Sequence, residues 1–356
     1  MSTKRREPGK AHLPSPFPEG WYFVASRQEI LKAGILAKTW LGKNIVAWCD
    51  ESVCVAEAYC PHLGSYLGPE AGACLRGGRL VCPFHGFQYD TTGQCVATPY
   101  ADPPKTARLQ TFETKEIAGL IFAWWGIGGR PPQWTLSAEP VEQAGWSSIR
   151  VRTMRFPGHP QDTTENSVDL AHLRYVHGYD SVNRVGRILV DGPYLESDFD
   201  FRSVRKIAKV ATFIMDVSAK TRISGLGYSF VHIHERSIGM DLRLWVLATP
   251  VDGTHIDLSL ASQVKEIRNP KRWVTGLGFL PTRFRAPLMN RFVSAQQDND
   301  VRQDIAIWSL KAYRSRPRLC RSDGEIMPFR AYCAQFYEAG EESRHLLRDA
   351  ASVPVQ

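Results

Sequence analysis

The sequence lacks several features that would place it in a large class of proteins. No run of about 18 or more apolar residues is present, so we expect no transmembrane segment. Residues 1–18 are basic and rich in proline but contain no apolar core, which argues against a secretory signal. Residues 2–10 are expected to form a disordered arm. No internal repeat or low-complexity segment is found, so a globular chain is predicted.

The eight cysteines do not suggest a disulfide framework. Their spacing is uneven, and a chain of 356 residues can bury a core without covalent cross-links. Disulfides also require an oxidising compartment, which the absence of a signal does not favour. The cysteines are therefore interpreted as thiols or metal ligands of a cytoplasmic protein.

The charge balance leaves two interpretations open. The formal net charge is +8, which is compatible with simple solubility or with a docking surface for an acidic electron-transfer partner. Basic residues are scattered, apart from Lys4–Arg6 and Arg314–Arg321, and no RNA-binding or zinc-finger pattern accompanies them. We therefore expect no nucleic-acid partner.

The length predicts two domains, and the first half resembles a series of short strands. The β-rich runs are Ile45–Trp48, Val53–Ala56 and Leu120–Trp125. The segment Gly126–Pro132 contains glycines and prolines that interrupt regular structure, so the boundary between the domains is predicted there.

The second half mixes strands and helices. Residues rich in β-branched and aromatic side chains predict strands over Phe201–Val217, Leu242–Val251 and Ile256–Val264. Helices are predicted over Thr163–His177, with Asp162 or Thr163 as N-cap, over Ala286–Leu310 and over Pro328–Leu347.

Two cysteine–histidine pairs form the first candidate metal site. Cys60-x-His62 is followed nineteen residues later by Cys82-x-x-His85. Zinc fingers usually group cysteine with cysteine, whereas here each loop supplies one cysteine and one histidine. A Rieske [2Fe–2S] cluster needs this mixture, because one iron is bound by two thiolates and the other by two imidazoles. A structural zinc site is the alternative.

Two histidines and a downstream carboxylate form the second candidate site. His172 and His177 could bind a non-haem iron together with one carboxylate, from Asp298, Asp300 or Asp304. Five residues correspond to about 140° around a helix, so both imidazoles can face one ion only if the helix ends or bulges between them. Gly178 is consistent with such an end. The alternating His232 and His234 are instead typical of a strand.

These motifs resemble those of a known family. The segments Cys60–Gly64 and Cys82–Phe87 are similar to the Rieske signature of ring-hydroxylating and related oxygenases, and Asp90–Gly93 resembles the turn that follows it. Within that family the chain looks most like the 3-ketosteroid 9α-hydroxylase oxygenases and the sterol 7-desaturases. The supporting segments are Phe17–Tyr22, Glu165–Asp169, Ala171–His172, Tyr175–Gly178, Asp304–Trp308, Phe329–Tyr332 and Gln335–Tyr337.

The resemblance implies an α+β fold with two domains. An N-terminal arm at residues 1–17 would precede an all-β Rieske domain at residues 18–130. A catalytic domain of helix-grip type, with an antiparallel sheet, would follow at residues 131–356.

It also implies the role of individual residues. Cys60, His62, Cys82 and His85 would hold the cluster. His172, His177 and Asp304 would hold the mononuclear iron, with Asp300 as the fallback for the third ligand. Asp169 would bridge an iron histidine to a cluster histidine of a neighbouring chain, which implies a homotrimer. Asn166 would touch the iron site or cap local backbone.

The implied reaction is a monooxygenation. Electrons from NAD(P)H would arrive through a ferredoxin, a flavin reductase or both, and O2 would be used to hydroxylate an apolar steroid- or terpenoid-like substrate. Desaturation, aromatic-ring oxygenation and demethylation share the same metal sites. A non-catalytic Rieske electron carrier is the alternative from a different class. The proposed pocket wall, or else plain core, is Trp273, Phe279, Phe284, Leu288 and Phe292.

Overall fold

The chain forms two compact units in a computed structural model that describes residues 15–136, 142–207, 211–268, 270 and 274–338. The N-terminal unit comprises Glu19–Glu142 and Thr249–Gly253. The C-terminal unit comprises the described residues of Met1–Pro18, Gln143–Ala248 and Thr254–Gln356. The predicted boundary after residue 130 stays a prediction.

The N-terminal unit is built from short antiparallel strands around one helix. Its sheets have the strand orders β1-β10-β9, β2-β3-β4 and β5-β6-β7-β8. The elements are β1 Gly20–Ser26, α1 Arg27–Ala33, β2 Ile35–Trp40, β3 Lys43–Cys49, β4 Val53–Glu57, β5 Cys74–Arg76, β6 Arg79–Val81, β7 Gln88–Tyr89, β8 Cys95–Ala97, β9 Thr114–Ile117 and β10 Leu120–Trp125. All three β-rich runs predicted in this half are strands.

Two loops of this unit each begin at a buried cysteine. Trp48 and Leu80 are fully buried in a core that also includes the side chains of Cys60 and Cys82. One loop follows β4 and the other joins β6 to β7, so each cysteine lies where the chain leaves a buried strand.

The segment Gly126–Pro132, predicted as a linker, is held against the N-terminal unit. Ile127–Gly129 forms a 3-10 turn, and the indole of Trp124 donates to the carbonyl of Arg130. The buried Glu19 carboxylate accepts from the Ile127 amide and pairs with Arg130 at 2.9 Å. These contacts explain why the unit continues beyond the glycines.

The C-terminal unit is a seven-stranded antiparallel sheet with one long helix, which confirms the predicted helix-grip architecture. The strand order is β11-β17-β16-β15-β14-β13-β12. The elements are β11 Arg150–Pro157, α2 Pro160–Glu165, α3 Leu170–Tyr175, β12 Ser181–Asp191, β13 Tyr194–Ile207, β14 Ala211–Ser224, β15 Tyr228–Glu235, β16 Met240–Pro250, β17 His255–Val264, α4 Thr282–Trp308 and α5 Ile326–Ala334.

Helix α4 packs against β17 and β11. Near its carboxyl end the Trp308 ring stacks on Phe156 of β11, with ring centroids 5.9 Å apart. Nearer its start the buried Asn290 amide donates to the Ser262 carbonyl and accepts from the Ser262 hydroxyl. Since buried amides are costly to leave unpaired, these bonds fix the position of the helix along the sheet.

Three predicted elements need correction. The strand predicted over Phe201–Val217 is two strands, β13 and β14, which pair with each other from Tyr194 to Ser224. Residues 208–210, which separate β13 from β14 in the sequence, include no glycine or proline to indicate a break, which explains the error. The C-terminal helix begins at Ile326 and ends at Ala334, whereas Gln335–Glu338 is not helical and residues 339–347 lie outside the described part.

The third correction concerns the helix predicted over Thr163–His177. It is interrupted: α2 ends at Glu165 and α3 begins at Leu170. The interruption has a local cause, because Asp169 acts as the N-cap of α3 and its Oδ1 accepts from the amides of Ala171 and His172. Among the described residues, no helix is both long and apolar enough to cross a membrane.

Candidate metal centres and cavity

The two cysteine–histidine loops of the N-terminal unit have the same backbone design. In each loop the cysteine carbonyl accepts from the amide of a glycine four residues later, Gly64 or Gly86, at 2.9 and 3.0 Å. Both glycines have positive φ, 75° and 69°, a conformation that side chains disfavour. The cysteine amides, in turn, donate to the carbonyls of Ser65 and Phe87. The loops therefore present their side chains in matching ways.

The four side chains predicted to bind a cluster come together. The Cys60 and Cys82 thiols are neighbours, and burial raises the pKa of Cys60. The imidazoles of His62 and His85 lie with ring centroids 4.8 Å apart. His62 Nδ1 is buried without a hydrogen-bond partner among the described residues, as expected of a nitrogen that binds a metal. Two thiols and two imidazoles at this spacing fit a [2Fe–2S] cluster.

Tyr89 is a neighbour of this site that the sequence analysis missed. Its hydroxyl lies 3.0 Å from Cys60 Sγ, and burial followed by the cysteine contact raises its pKa well above the usual value. A hydrogen bond to a cluster sulfur tunes its reduction potential. Its position in the sequence, two residues after Phe87, could have indicated this role. Its side chain is buried in strand β7.

The second candidate site begins where α3 ends. The helix ends at Tyr175, between His172 and His177, and Gly178 follows with a φ of 66°. The expected break between the two histidines is therefore present. Their ring centroids are 5.4 Å apart. His172 Nδ1 contacts the Asp169 carbonyl, which leaves Nε2 as the nitrogen available to a metal.

Helix α4 adds a carboxylate to these imidazoles. The ligand atoms of His172, His177 and Asp304 all lie within 4.8 Å of one another, and His177 Nε2 is 3.3 Å from Asp304 Oδ2. The other two candidate carboxylates lie elsewhere on α4: Asp298 pairs with Arg152, and Asp300 lies one helical turn before Asp304 at the cavity wall. Two imidazoles and one carboxylate with open space beside them fit a non-haem iron.

The pKa values of the two histidines are shifted in opposite directions, because burial and the neighbouring carboxylates balance differently at each. Burial lowers the pKa of His172, although the charges of Asp304 and Asp169 oppose it. Burial also acts to lower the pKa of His177, but the hydrogen bond and charge of Asp304 outweigh it, so the pKa is raised. A neutral imidazole is the form that binds a metal, and His172 is held in that form.

A cavity of about 230 Å³ opens beside the three side chains. Its wall is the inner face of the seven-stranded sheet, where alternate residues of β13 to β17 point inward. These residues include Phe199, Ala219, Val231, Ile233, Leu244 and Leu258. Asn166 lines the same cavity, and its role stays a prediction.

Two family models match the chain, one in each half. Residues 20–113 match the Rieske [2Fe-2S] domain, and residues 123–337 match the 3-Ketosteroid 9alpha-hydroxylase C-terminal domain. The second match spans more than half of the chain. The chain belongs to the 3-ketosteroid 9α-hydroxylase family of Rieske oxygenases.

Relatives of this oxygenase are found among both monooxygenases and desaturases. The chain is 27% identical to "Cholesterol 7-desaturase nvd" of Bombyx mori over 96% of its own length and 74% of the relative's. It is 26% identical to "3-ketosteroid-9-alpha-monooxygenase, oxygenase component" of Rhodococcus rhodochrous, over 91% and 85%.

Solved structures share the fold of the oxygenase. Dicamba monooxygenase bound to dicamba aligns with a TM-score of 0.66 at 17% identity, covering 93% of this chain and 98% of the other. NdmA of Pseudomonas putida CBB5 with caffeine aligns with a TM-score of 0.64 at 19% identity, covering 94% and 95%.

The pocket wall predicted for the oxygenase was wrong. Phe279, Phe284 and Leu288 are exposed, by 82%, 50% and 48%, and neither they nor Phe292 line the cavity. Trp273 lies outside the described residues. The prediction followed aromatic residues near the start of α4, whereas the cavity lies against the sheet and the last turns of that helix.

A buried ion cluster forms at the end of α2 in the oxygenase. The Glu165 carboxylate at the end of α2 accepts from Arg330 Nε at 2.8 Å and from Lys311 Nζ at 3.0 Å. Lys311 also pairs with Asp162 at 3.2 Å. Burial raises the pKa of Glu165, but the contacts with Arg330 and Lys311 outweigh it and the pKa is lowered.

The loop between α2 and α3 is held from the other side by two residues of the sheet. Arg184 Nη2 donates to the Val168 carbonyl at 2.6 Å, and the Ser197 hydroxyl donates to the Ser167 carbonyl at 2.9 Å. These bonds satisfy the carbonyls of the interruption, so the residue that follows, Asp169, enters α3 from a fixed position.

We predict that Glu165→Gln destabilises the oxygenase by about 3–5 kcal/mol near neutral pH, because the buried Arg330 loses its carboxylate counter-ion and Lys311 keeps only Asp162. A group with a lowered folded-state pKa contributes stability above its unfolded pKa, and this contribution is lost as the pH falls through the folded value. The stability difference between wild type and variant should therefore shrink as the pH falls from neutral through the unfolded-state pKa of glutamate, about 4.3, to more acidic values. Thermal unfolding across this range measures it, with the exposed Glu51→Gln as control. A constant difference would contradict the assignment.

Proposed function

We propose that this protein is the oxygenase component of a multicomponent Rieske monooxygenase that hydroxylates an apolar, steroid- or terpenoid-like substrate. The observation that supports this best is the convergence of His172, His177 and Asp304 beside an apolar cavity. A Rieske electron carrier would need neither the triad nor the cavity, so the alternative from a different class is disfavoured.

Seven side chains are proposed as metal ligands. Cys60, His62, Cys82 and His85 would hold the cluster, which supplies electrons one at a time when bound. His172, His177 and Asp304 would hold one Fe(II), which activates O2 and leaves coordination positions open for it.

The residues of the chain contribute placement and exclusion of water. The contact of His172 Nδ1 with the Asp169 carbonyl sets the imidazole orientation, and the N-cap bonds of Asp169 fix that carbonyl. Alternating apolar side chains of the sheet hold the substrate and keep bulk water away from it.

The names of the relatives support a steroid-like substrate. One is a 3-ketosteroid 9α-monooxygenase component and another a cholesterol 7-desaturase, so desaturation is the second candidate reaction. Both reactions begin at a C–H bond of an apolar ring system, which agrees with the apolar wall of the cavity.

The electron supply is proposed to be external. The Rhodococcus relative is named an oxygenase component, which supports a separate ferredoxin, flavin reductase or both, fed by NAD(P)H. The net charge of +8 would favour an acidic partner. None of the eight cysteines forms a disulfide in the described part of the chain, which supports a reducing, cytoplasmic location.

Asp169 is proposed to connect two chains. Both N-cap hydrogen bonds of its carboxylate are made by Oδ1. Oδ2 makes neither of them and would reach a cluster histidine of a neighbouring chain in a homotrimer. Each active site would then be completed by an adjacent copy.

We predict that Cys82→Ser removes the visible absorption of the cluster, because an alkoxide is a poor ligand for iron–sulfur sites. The exposed Cys74→Ser serves as matched control and should keep the full spectrum. A colourless wild-type protein that contains zinc would instead favour the structural zinc site.

For the mononuclear site, Asp304→Ala should lower the iron content from about three to about two atoms per chain while the cluster spectrum persists. Asp300→Ala, one turn earlier on α4, should keep about three. Metal analysis of both variants shows which of the two aspartates binds the mononuclear iron. The reverse pattern would make Asp300 the ligand.

Replacing Asp169 by asparagine separates its two roles. The amide oxygen of the new side chain would still accept from the two backbone amides and cap α3, but the negative charge would be lost. We expect Asp169→Asn to keep both metals and to slow re-oxidation of the reduced cluster by about 10- to 100-fold. Stopped-flow spectroscopy measures this rate, with the exposed Asp191→Asn as control. Turnover at the wild-type rate would refute the bridging role.

Product mass tests the reaction itself. Purified protein, a surrogate reductase, NADH and O2 are incubated with steroids and terpenoids, and a gain of one oxygen is expected. A loss of two hydrogens would indicate desaturation, and two added oxygens would indicate a dioxygenase. No change across the panel with both metal sites loaded would refute the steroid- or terpenoid-like substrate but not the family.

A further inference from the structure

Two buried hydroxyls in the apolar cavity have no partner in the described protein. Thr221 on β14 and Ser229 on β15 line the cavity and are only 2% and 3% exposed. Neither hydroxyl makes a hydrogen bond to any described residue. Buried hydroxyls are normally hydrogen-bonded, so an unpaired pair needs an explanation.

Three other buried hydroxyls of the same sheet are hydrogen-bonded. Ser197 bonds to the Ser167 carbonyl, Ser259 to Thr153, and Ser262 to Asn290. Thr221 and Ser229 differ from these three in facing the cavity, where a bound molecule can supply the missing partner.

The register of the strands places these two hydroxyls near each other. Thr221 pairs with Val231, and Ser229 pairs with Ile223, so the two residues are diagonal neighbours on one face. Such neighbours lie about 7–8 Å apart, with their Cβ atoms somewhat closer. One oxygen atom between them can accept a hydrogen bond from both hydroxyls, because a carbonyl oxygen has two lone pairs.

The remaining lining residues restrict the charge of that oxygen. Among the described residues that line the cavity there is no lysine or arginine. The ionisable groups among them are the triad, Tyr179 and Asp300, so no cationic side chain outside the triad is present to pair with a carboxylate. The surroundings of the hydroxyls are otherwise apolar, with Val231 and Val246 as their cross-strand neighbours.

We propose that Thr221 and Ser229 form a subsite for one neutral oxygen of the substrate, a ketone or an alcohol, and thereby orient the ring system relative to the triad. This inference rests on the proposed function, because it specifies the substrate of the same cavity. Substrates that bear a carboxylate are excluded from the subsite.

Equilibrium binding to the metal-loaded protein tests the subsite without turnover. Two skeletons of different size are used: decalin, 2-decalone and decalin-2-carboxylate, and the matching trio built on 5α-androstane. The cavity volume of about 230 Å³ makes the smaller trio a necessary arm. We expect at least one ketone to bind more tightly than its hydrocarbon and its carboxylate.

Variants then assign that preference to the hydroxyls. Thr221→Val and Ser229→Ala should each reduce the ratio of ketone to hydrocarbon affinity by roughly 2- to 10-fold. Thr221→Ser keeps a hydroxyl and should show the wild-type ratio of ketone to hydrocarbon affinity. Neither deletion should lower the unfolding temperature of the ligand-free protein, because no protein partner is lost. Val246→Ala, which lies opposite Ser229, is the control and should weaken both ligands alike.

Two outcomes would overturn the proposal: no preference for the ketone in wild type, or an unchanged ratio in both deletion variants. The same measurement with an alcohol in place of the ketone distinguishes the two oxygen types. A reduced ratio of alcohol to hydrocarbon affinity in the deletion variants would also support the subsite. Oxygen consumption and iron content of the same preparations test the oxygenase assignment separately, so failure of the subsite can be told from failure of the function.

Discussion

The carboxylate of Glu165 lies between two cations, Lys311 and Arg330, that come from distant parts of the sequence. Glu165 ends α2, four residues before the cap of the helix that holds His172. Lys311 follows α4 seven residues after Asp304. The ion cluster therefore joins the α2–α3 segment, which holds His172, to the end of α4, which holds Asp304. The distance between these segments decides whether the two side chains can approach the same metal. A buried ion pair is a weak source of net stability, but it specifies one arrangement, because any other leaves a charge unpaired.

The parts of the sites that could be predicted are those whose geometry is local. Cys60 and His62 lie within one turn, so spacing alone brings their side chains to one point. The same holds for His172 and His177, where the need for a helix end followed from angular arithmetic. Asp304 was different: three aspartates on one helix were chemically equivalent, and family resemblance selected among them. The structure separates them by their contacts, since Asp298 faces Arg152.

The errors have a common physical origin. The helix through Asn166 looked continuous because residues on both sides favour helix, and the competing cap by the Asp169 side chain was not considered. Residues 208–210, between β13 and β14, include no glycine or proline to indicate a break. The pocket wall was sought among aromatic residues of α4, although the alternation Ala219–Thr221 and Val231–Ile233 would have indicated a half-buried sheet face. Long-range packing, rather than local propensity, decides such points.

The strands behind the cavity have two chemically distinct faces. Thr221 points inward, while its neighbours Lys220 and Arg222 lie on the outer face, where Arg222 pairs with Glu196 at 2.9 Å. Because inner and outer residues alternate, changes at every second position can reshape the cavity while the outer ion pairs persist. A shift of strand register by one residue would instead bring cations into the cavity. Single substitutions on the inner face can therefore change which substrates fit the cavity. An insertion of one residue in these strands would instead exchange the inner and outer faces.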